Sequence, residues 1–182
     1  MSRRYEQKKR AEAVEDTRRR IVAATLALHE DVGPSRTTIA AIAERAGVSR
    51  PTVYAQYPDE RSLYAACGAH FRALHPFPNL DDVPLEQALS RLYEYYRENR
   101  RVLAHVDRDA RALPALAGAR RPLTDYLERF ATEQERTLGG RSAPIARVAL
   151  EFTTWELLDT IGLSPDDAAS LMAHVVRCAA RS

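Results

Sequence analysis

The amino-acid sequence predicts an all-α fold in two parts. Apolar residues recur at helical spacing along most of the chain, whereas the alternation typical of β-strands never lasts more than a few residues. Hydrophobic residues make up 45% of the 182 residues, which is enough for a core. A proline-rich stretch from His75 to Pro84 interrupts the pattern, because proline lacks an amide donor and disfavours helix at the preceding residue. We therefore expect one helical part on each side of it.

Four helices are predicted before the proline-rich stretch. The first carries Ile21, Ala24 and Leu28 on one face and ends at Gly33-Pro34. Gly47 separates the second helix from the third. The four helices cover about residues 17–31, 38–46, 49–57 and 59–71.

Five more helices are predicted after it. Gly139-Gly140 ends one of them, and Ser164 is a good N-cap before Pro165, which suits the first position of the last helix. The five helices cover about residues 84–98, 100–113, 122–138, 143–161 and 165–180.

Composition excludes several classes of protein. Every apolar run is shorter than the ~18 residues that span a bilayer, and the basic start lacks the apolar stretch of a signal peptide. Cys67 and Cys178 match no metal or redox spacing, which favours free thiols in a reducing compartment. We therefore expect a cytoplasmic protein that does not enter a membrane.

Neither a catalytic nor a metal site is expected. The five histidines are scattered, without a pair on one helical face, and the sequence has no glycine-rich phosphate loop. Asp81-Asp82 lies in the proline-rich stretch and is typical of a solvated loop. These patterns predict that the protein is not an enzyme and holds no cofactor.

The distribution of charge is more informative than the net charge of +2. A basic arm at the N-terminus can bind phosphates, although solvated tails have a similar composition. The basic residues of this region are Arg3, Arg4, Lys8, Lys9, Arg10, Arg18, Arg19 and Arg20.

The most informative stretch is Thr37 to Leu63, TTIAAIAERAGVSRPTVYAQYPDERSL. Thr38 and Ser49 are good N-caps for two short helices, and Gly47 suits the left-handed residue that closes the turn between them. Two short helices joined by so tight a turn cross steeply, and the second projects from the surface.

Val53 and Tyr57 are expected to anchor the inner side of the projecting helix. Its outer side carries side chains suited to the major groove of DNA. Arg50 can bind guanine edges or a phosphate, and Thr52 can contact a thymine methyl group or a phosphate. Tyr54 and Gln56 are placed to hold the DNA backbone, which sets register without reading sequence. The candidate DNA-binding residues are Thr37, Thr38, Ser49, Arg50, Pro51, Thr52, Tyr54, Gln56, Tyr57 and Arg61.

The motif resembles the TetR family of bacterial regulators over roughly residues 17 to 70. The resemblance rests on the threonines that open the second helix, then IAERAGVS, then TVYAQY. It implies a three-helix DNA-binding head and a fourth helix that links the head to a ligand-binding body. The family usually works as a homodimer on a palindromic operator, most often as a repressor that a small molecule releases.

Two positions depart from the family pattern. The family commonly has a histidine and an aromatic residue after the tyrosine, where this chain has Gln56 and Tyr57. A lysine that contacts a phosphate usually opens the fourth helix, where this chain has Glu60 followed by Arg61. Either Arg61 takes the role of that lysine or the contact is lost, and the basic arm could compensate.

Three domains are predicted: a basic flexible arm (1-16), a helix-turn-helix DNA-binding domain (17-66) and a helical ligand-binding and dimerisation domain (67-182). The last helices are apolar on more than one side, so a partner subunit can cover what the chain's own core does not. The resemblance implies a dimer interface of two helices from each chain, and a large monomeric core is the alternative. The candidate interface residues are Ile145, Val148, Phe152, Leu171, Met172, Val175 and Val176.

A ligand pocket is implied by the resemblance more than by the residues themselves. Aromatic cavities with a few polar groups are a common form of pocket, although aromatic residues at helical spacing are also typical of a core. The candidate pocket residues are Tyr93, Tyr96, Leu103, His105, Tyr126, Phe130, Phe152 and Trp155.

The sequence thus predicts a DNA-binding regulator whose dimer places two recognition helices about one DNA turn apart, ~34–36 Å. A small-molecule effector in the body would move the fourth helix and change that spacing. Two alternatives stay open. One is a ligand- or partner-binding protein whose head no longer binds DNA, which Glu60 and the low net charge would favour. The other is a transcriptional activator.

Overall fold

The computed structural model describes residues 3–181, without the side chains of Arg3 and Arg4. Met1, Ser2 and Ser182 lie outside the described residues. Within residues 3–181 the chain forms ten α-helices and two short 3₁₀ turns and has no β-strand, so the predicted fold class is confirmed. In chain order the elements are α1 (Arg3–Asp31), η1 (Pro34–Arg36), α2 (Ile39–Ala46), α3 (Arg50–Gln56), α4 (Glu60–Leu74), α5 (Leu85–Glu98), α6 (Arg100–Asp109), η2 (Pro114–Leu116), α7 (Ala117–Leu138), α8 (Ser142–Leu150), α9 (Phe152–Thr160) and α10 (Pro165–Ala180).

The helices form two compact units. The first unit contains the chain up to Leu74 together with His105–Ala119, and the second contains His75–Ala104 together with the chain from Arg120 onward. The compact units therefore differ from the predicted domains, which divide the chain after residue 66. The difference arises because α4 belongs to the first unit up to its last residue and because residues 105–119 return to that unit.

Helix α1 is longer than predicted, since it begins at Arg3 and not near Thr17. The described part of the predicted arm, residues 3–16, is therefore helical and continuous with α1, which corrects the expectation of a flexible segment. Alanine, glutamate, glutamine, lysine and arginine dominate this stretch, and glycine and proline do not occur in it. Those residue types have high helix propensity, which explains the extension. The side chains of residues 5–15 are exposed.

The core of the first unit joins α1 to the three helices that follow it. Ile21 and Val22 face inward from α1, and the small Ala43 lets α2 pack closely. Leu116 of η2 completes the core from a distant part of the chain. The buried members are Ile21, Val22, Ala24, Ile42, Ala43, Ala46, Val53, Tyr57, Leu63, Tyr64 and Leu116.

In the second unit, α5 and α8 pack against α10. The helix predicted over residues 143–161 is two helices, α8 and α9, because Glu151 adopts an extended conformation with ψ 137°. The last carbonyl groups of a helix have no partner within it. Here the Tyr93 and Tyr96 hydroxyls donate to the carbonyl oxygens of Ala149 and Leu150, at 2.7 and 2.6 Å, which stabilises the break.

Two further helix ends differ from the predictions. Helix α6 ends at Asp109, four residues before the predicted end, and α7 begins at Ala117 with Pro122 inside it. Among the helices of residues 3–181, none is both long and apolar enough to cross a membrane.

Candidate nucleic-acid interface

The turn between α2 and α3 has the geometry that the sequence predicts. Thr38 Oγ1 accepts a hydrogen bond from the Ala41 amide at 3.2 Å, and Ser49 Oγ accepts one from the Thr52 amide at 3.3 Å. Gly47 is left-handed, with φ 64°, and the following amide, of Val48, donates to the Ala43 carbonyl at 3.0 Å. These local bonds fix where α2 ends and α3 begins.

Helix α3 has one buried and one exposed side. Val53 is fully buried in the core of the first unit, whereas Arg50, Pro51 and Tyr54 are exposed. Tyr54 keeps 54% of its surface exposed, although it is a large aromatic residue. An exposed aromatic and an exposed arginine on one short, well-anchored helix are suited to contact with a nucleic acid.

Other candidate residues serve the fold as well. The Thr37 hydroxyl donates to the Gly33 carbonyl at 2.9 Å, and the Thr52 hydroxyl lies 2.8 Å from the Ser49 hydroxyl. A phosphate that binds Thr52 must therefore compete with Ser49. Gln56 is half-buried at the end of α3.

The buried position of Tyr57 corrects the prediction that this residue contacts DNA. Its side chain is only 5% exposed and belongs to the core of the first unit, below the guanidinium of Arg18. Burial raises the pKa of the Tyr57 phenol, which the nearby Arg18 partly offsets. Tyr57 therefore anchors α3 from the inside.

The start of α4 carries two carboxylates next to a cation. The Ser62 amide donates to Asp59 Oδ1 at 2.7 Å, so Asp59 caps the helix, and this hydrogen bond lowers the pKa of the Asp59 carboxyl. Glu60 and Arg61 are both exposed. Arg61 is thus accessible for the predicted phosphate contact. The carboxylates of Asp59 and Glu60 are close by in the chain and would repel a phosphate there.

Residues 105–119 support the first unit in a way that the sequence did not predict. The buried Asp109 carboxylate accepts hydrogen bonds from the Ser35 amide at 2.8 Å and from Arg108 Nε at 2.9 Å. Burial raises the pKa of Asp109, but hydrogen bonds from Arg108 and Ser35 outweigh this effect and hold it at about 2. Gly33, with φ 88°, lies so close to Arg108 that a Cβ atom on Gly33 would be 2.5 Å from Arg108 Nη2. The apolar run LPAL, residues 113–116, was the available signal that this loop is packed.

His105 also packs within the first unit, whereas the sequence assigned it to a ligand pocket. Its Nδ1 atom lies 2.9 Å from the carbonyl oxygen of His29 in α1. His29 is itself buried, with 3% of its surface exposed, and its ring packs edge-on against Tyr64. Burial lowers the pKa of His29 to about 4, against a smaller opposing effect of Asp109.

Acidification should therefore destabilise the protein through His29. Below pH 6.5 the unfolded state binds a proton that the folded state excludes until about pH 4. The free energy of unfolding should fall by about 3 kcal/mol over this window from His29 alone. In His29→Gln this part of the pH dependence should disappear, measured by urea unfolding at a series of pH values. Equal slopes in both proteins between pH 6.5 and 4 would contradict the assignment.

The remaining pocket candidates lie in the second unit, where several fill the core. Tyr93, Tyr96 and Trp155 are fully or almost fully buried, and the tyrosine hydroxyls bind backbone carbonyls of α8. Tyr126 is half-buried, and its hydroxyl accepts a hydrogen bond from the Leu80 amide at 2.7 Å. The other members, two of them buried and one half-buried, are Phe130, Phe152 and Leu103.

The candidate dimer residues divide into two groups. Val148, Leu171 and Val175 are exposed, and Ile145 is half-buried. Phe152, Met172 and Val176 are buried in the core of their own chain, which corrects their assignment to a surface. Leu157 and Ile161, which the sequence did not assign to the interface, are the most exposed large aliphatic residues of the second unit, at 70% and 74%.

Parts of the chain are similar to known bacterial regulators. The family model described as bacterial regulatory proteins, tetR family, matches residues 21–67. An uncharacterised HTH-type transcriptional regulator of Mycobacterium bovis is 46% identical over 72 residues, which are 39% of this chain and 35% of the relative. Two uncharacterised HTH-type regulators from strains of Mycobacterium tuberculosis are each 45% identical over 71 residues, with the same coverage.

The matched stretch thus spans about a third of the length of these curated relatives. No solved structure matches the chain significantly. In the described residues 3–181, no cluster of three or more His, Cys, Asp or Glu side chains could hold a metal ion. The stretch that matches the family model runs from Ile21 of α1 into α4 and contains the whole of α2 and α3. Over these residues, the chain is similar to the tetR family of bacterial regulatory proteins.

Proposed function

We propose that the chain is a DNA-binding transcriptional regulator in which α3 enters the major groove of an operator. The observation that carries the proposal is the exposed side of α3, with Arg50 and Tyr54, held by capped turns inside the stretch that matches the family. Relatives that are 45–46% identical to part of the chain are named as HTH-type transcriptional regulators, which supports the same function.

The proposal extends to a cytoplasmic homodimer that represses transcription from a palindromic operator until a small-molecule effector releases it. Exposed apolar side chains on α8, α9 and α10 support the dimer. Repression and release by an effector are typical of the family. They imply a coupling of about 1–3 kcal/mol between the effector site and the DNA-binding site.

Selection of bound sites from a random duplex library tests the proposal directly. The purified full chain should enrich a palindrome at a stated salt concentration, since affinity for DNA depends strongly on salt. A protein that enriches no sequence, even at low salt, would contradict the proposal. The carboxylates of Asp59 and Glu60 would then favour a partner-binding protein whose head has lost DNA binding.

The double substitution Arg50→Ala with Thr52→Ala should abolish sequence reading. We expect the affinity for the selected duplex to fall by at least about tenfold, since a good base contact is worth ~1–3 kcal/mol. Arg121→Ala removes the same charge from an exposed position of α7 in the second unit and should have no effect. Fluorescence anisotropy with labelled duplex measures both. Equal losses in the two variants would show that α3 does not read the duplex.

A further inference from the structure

Two arginines of α1 reach the C-terminal ends of the two helices of the helix-turn-helix. Arg18 Nη1 donates a hydrogen bond to the carbonyl oxygen of Gln56, the last residue of α3, at 3.3 Å. Arg20 Nη1 donates to the carbonyl oxygen of Ala46, the last residue of α2, at 2.9 Å. Carbonyl groups in the last turn lack a partner within the helix, and a cation there also interacts favourably with the helix dipole.

Arg18 has a second contact that fixes its guanidinium. The group lies over the ring of Tyr57, 4.8 Å from the ring centroid, which is a favourable cation–π distance. Tyr57 is buried, and its own amide donates to the Val53 carbonyl at 2.8 Å, which closes the last turn of α3. The guanidinium therefore contacts both a backbone carbonyl of α3 and the aromatic ring that follows it.

Helix α3 depends on such contacts because it is short. It has seven residues, about two turns, and an isolated helix of this length is not stable in water. Val53 is the buried residue within it, and Tyr57 follows directly after its end. The direction in which α3 points is thus set by one buried aliphatic side chain, the Ser49 cap and the contacts of Tyr57 with Arg18.

Arg20 is more exposed to solvent than Arg18. Its side chain is 46% exposed, and Asp16 Oδ2 holds its Nε atom at 3.1 Å. Exposed pairs of this kind contribute little free energy. Arg18 is half-buried and has both a carbonyl and a ring as partners, so it has the larger effect on the orientation of the recognition helix.

We propose that Arg18 is a positioning residue for sequence recognition: it fixes the C-terminal end of α3 and thereby the direction in which Arg50 and Tyr54 face the bases. This inference rests on the proposed function, because only a protein that reads DNA needs α3 in one orientation. Arg18 then contributes to specific binding without contacting DNA. A direct phosphate contact is the competing role for an arginine at this place, and it has a different signature.

The test compares Arg18→Gln with Arg19→Gln in the full chain. Arg19 is the neighbouring arginine, with 66% of its side chain exposed, and it forms an ion pair with Asp16. The probes are the duplex that the wild-type protein enriches and a scrambled duplex of equal length and composition. Affinities are measured at several salt concentrations, and thermal unfolding of each variant is recorded alongside.

For Arg18→Gln we expect about tenfold weaker binding to the selected duplex, the size expected for loss of one charge-assisted hydrogen bond, and little change on the scrambled duplex. The salt slope should stay as in the wild type. A phosphate contact would instead weaken both duplexes equally and reduce the slope by about 0.9. That result, or unchanged discrimination between the duplexes, would overturn the inference.

Amide hydrogen exchange without DNA separates this inference from the proposed function. In Arg18→Gln the amides near the end of α3, up to Tyr57, should exchange faster than in the wild type, whereas Arg19→Gln should leave them unchanged. Unchanged exchange in Arg18→Gln overturns the inference even if the wild-type protein reads DNA. A wild-type chain without preference among duplexes overturns the proposed function and the recognition role together. Faster exchange in Arg18→Gln would in that case still show that Arg18 stabilises the end of α3.

Discussion

Replacing Leu157 and Ile161 together with glutamate should turn the proposed dimer into a monomer and lower its affinity for the palindromic duplex by more than about a hundredfold. The two residues lie one helical turn apart at the end of α9 and are 70% and 74% exposed. Val148, Leu171 and Val175 are also exposed, on α8 and α10, and these three helices pack against one another. Monomeric proteins rarely expose large apolar patches, so exposed aliphatic side chains on three helices that pack together support the proposed interface.

The size of the effect follows from two-fold symmetry. Each substitution occurs twice in a symmetric interface, so four buried aliphatic side chains would be replaced by charges. Burial of one such side chain is worth about 1.5–3 kcal/mol, and a buried carboxylate without a partner adds a further cost. A monomer presents a single α3 and loses the gain from simultaneous binding of two half-sites, which is about 10²–10⁴-fold.

Sedimentation velocity and fluorescence anisotropy measure the two parts of this prediction. Leu74→Glu is the matched control, since Leu74 is an exposed leucine at the end of α4, in the first unit, and should leave the dimer intact. Circular dichroism should show unchanged helix content in both variants, because all three side chains are largely exposed. A double variant that stays dimeric would show that the exposed end of α9 lies outside the interface.

The sequence predicted those features that short-range chemistry determines. The N-caps Thr38 and Ser49 and the left-handed Gly47 are each specified within a few residues, so the helix-turn-helix could be placed before the structure was known. The exposure of Arg50 and Tyr54 followed from the same turn. The same spacing placed Tyr57 on the inner side of α3, where it lies, so its inclusion among the candidate DNA-binding residues was wrong.

Other features depend on residues far apart in the chain. The break at Glu151 is stabilised by Tyr93 and Tyr96, which lie more than fifty positions earlier, with separations of 56 and 54 residues between the bonded partners. Helical periodicity also marks Met172 and Val176 as apolar without telling whether their own core or a partner covers them. Such assignments require the packing and cannot be obtained from local patterns.

The second large effect is expected at Leu116, which packs into the core of the first unit from a distant part of the chain. Leu116→Ala should destabilise the first unit by about 2–5 kcal/mol, the usual cost of removing a buried leucine side chain. Leu116 is only 2% exposed and packs into the core that contains Ile21 and Leu63. It lies well outside residues 21–67, so the family motif alone would predict no effect on DNA binding. We expect the affinity for the selected duplex to fall at temperatures where the variant unfolds.

Urea unfolding followed by circular dichroism gives the change in free energy, and anisotropy at 10 °C and 37 °C gives the affinity. Leu74→Ala is the control, because it removes the same atoms from an exposed position of the same unit. At 10 °C the folded Leu116→Ala protein should still bind the selected duplex, since Leu116 is buried and cannot contact DNA. If both leucine variants are equally stable, residues 113–116 do not support the head. DNA binding would then depend only on the chain up to Leu74.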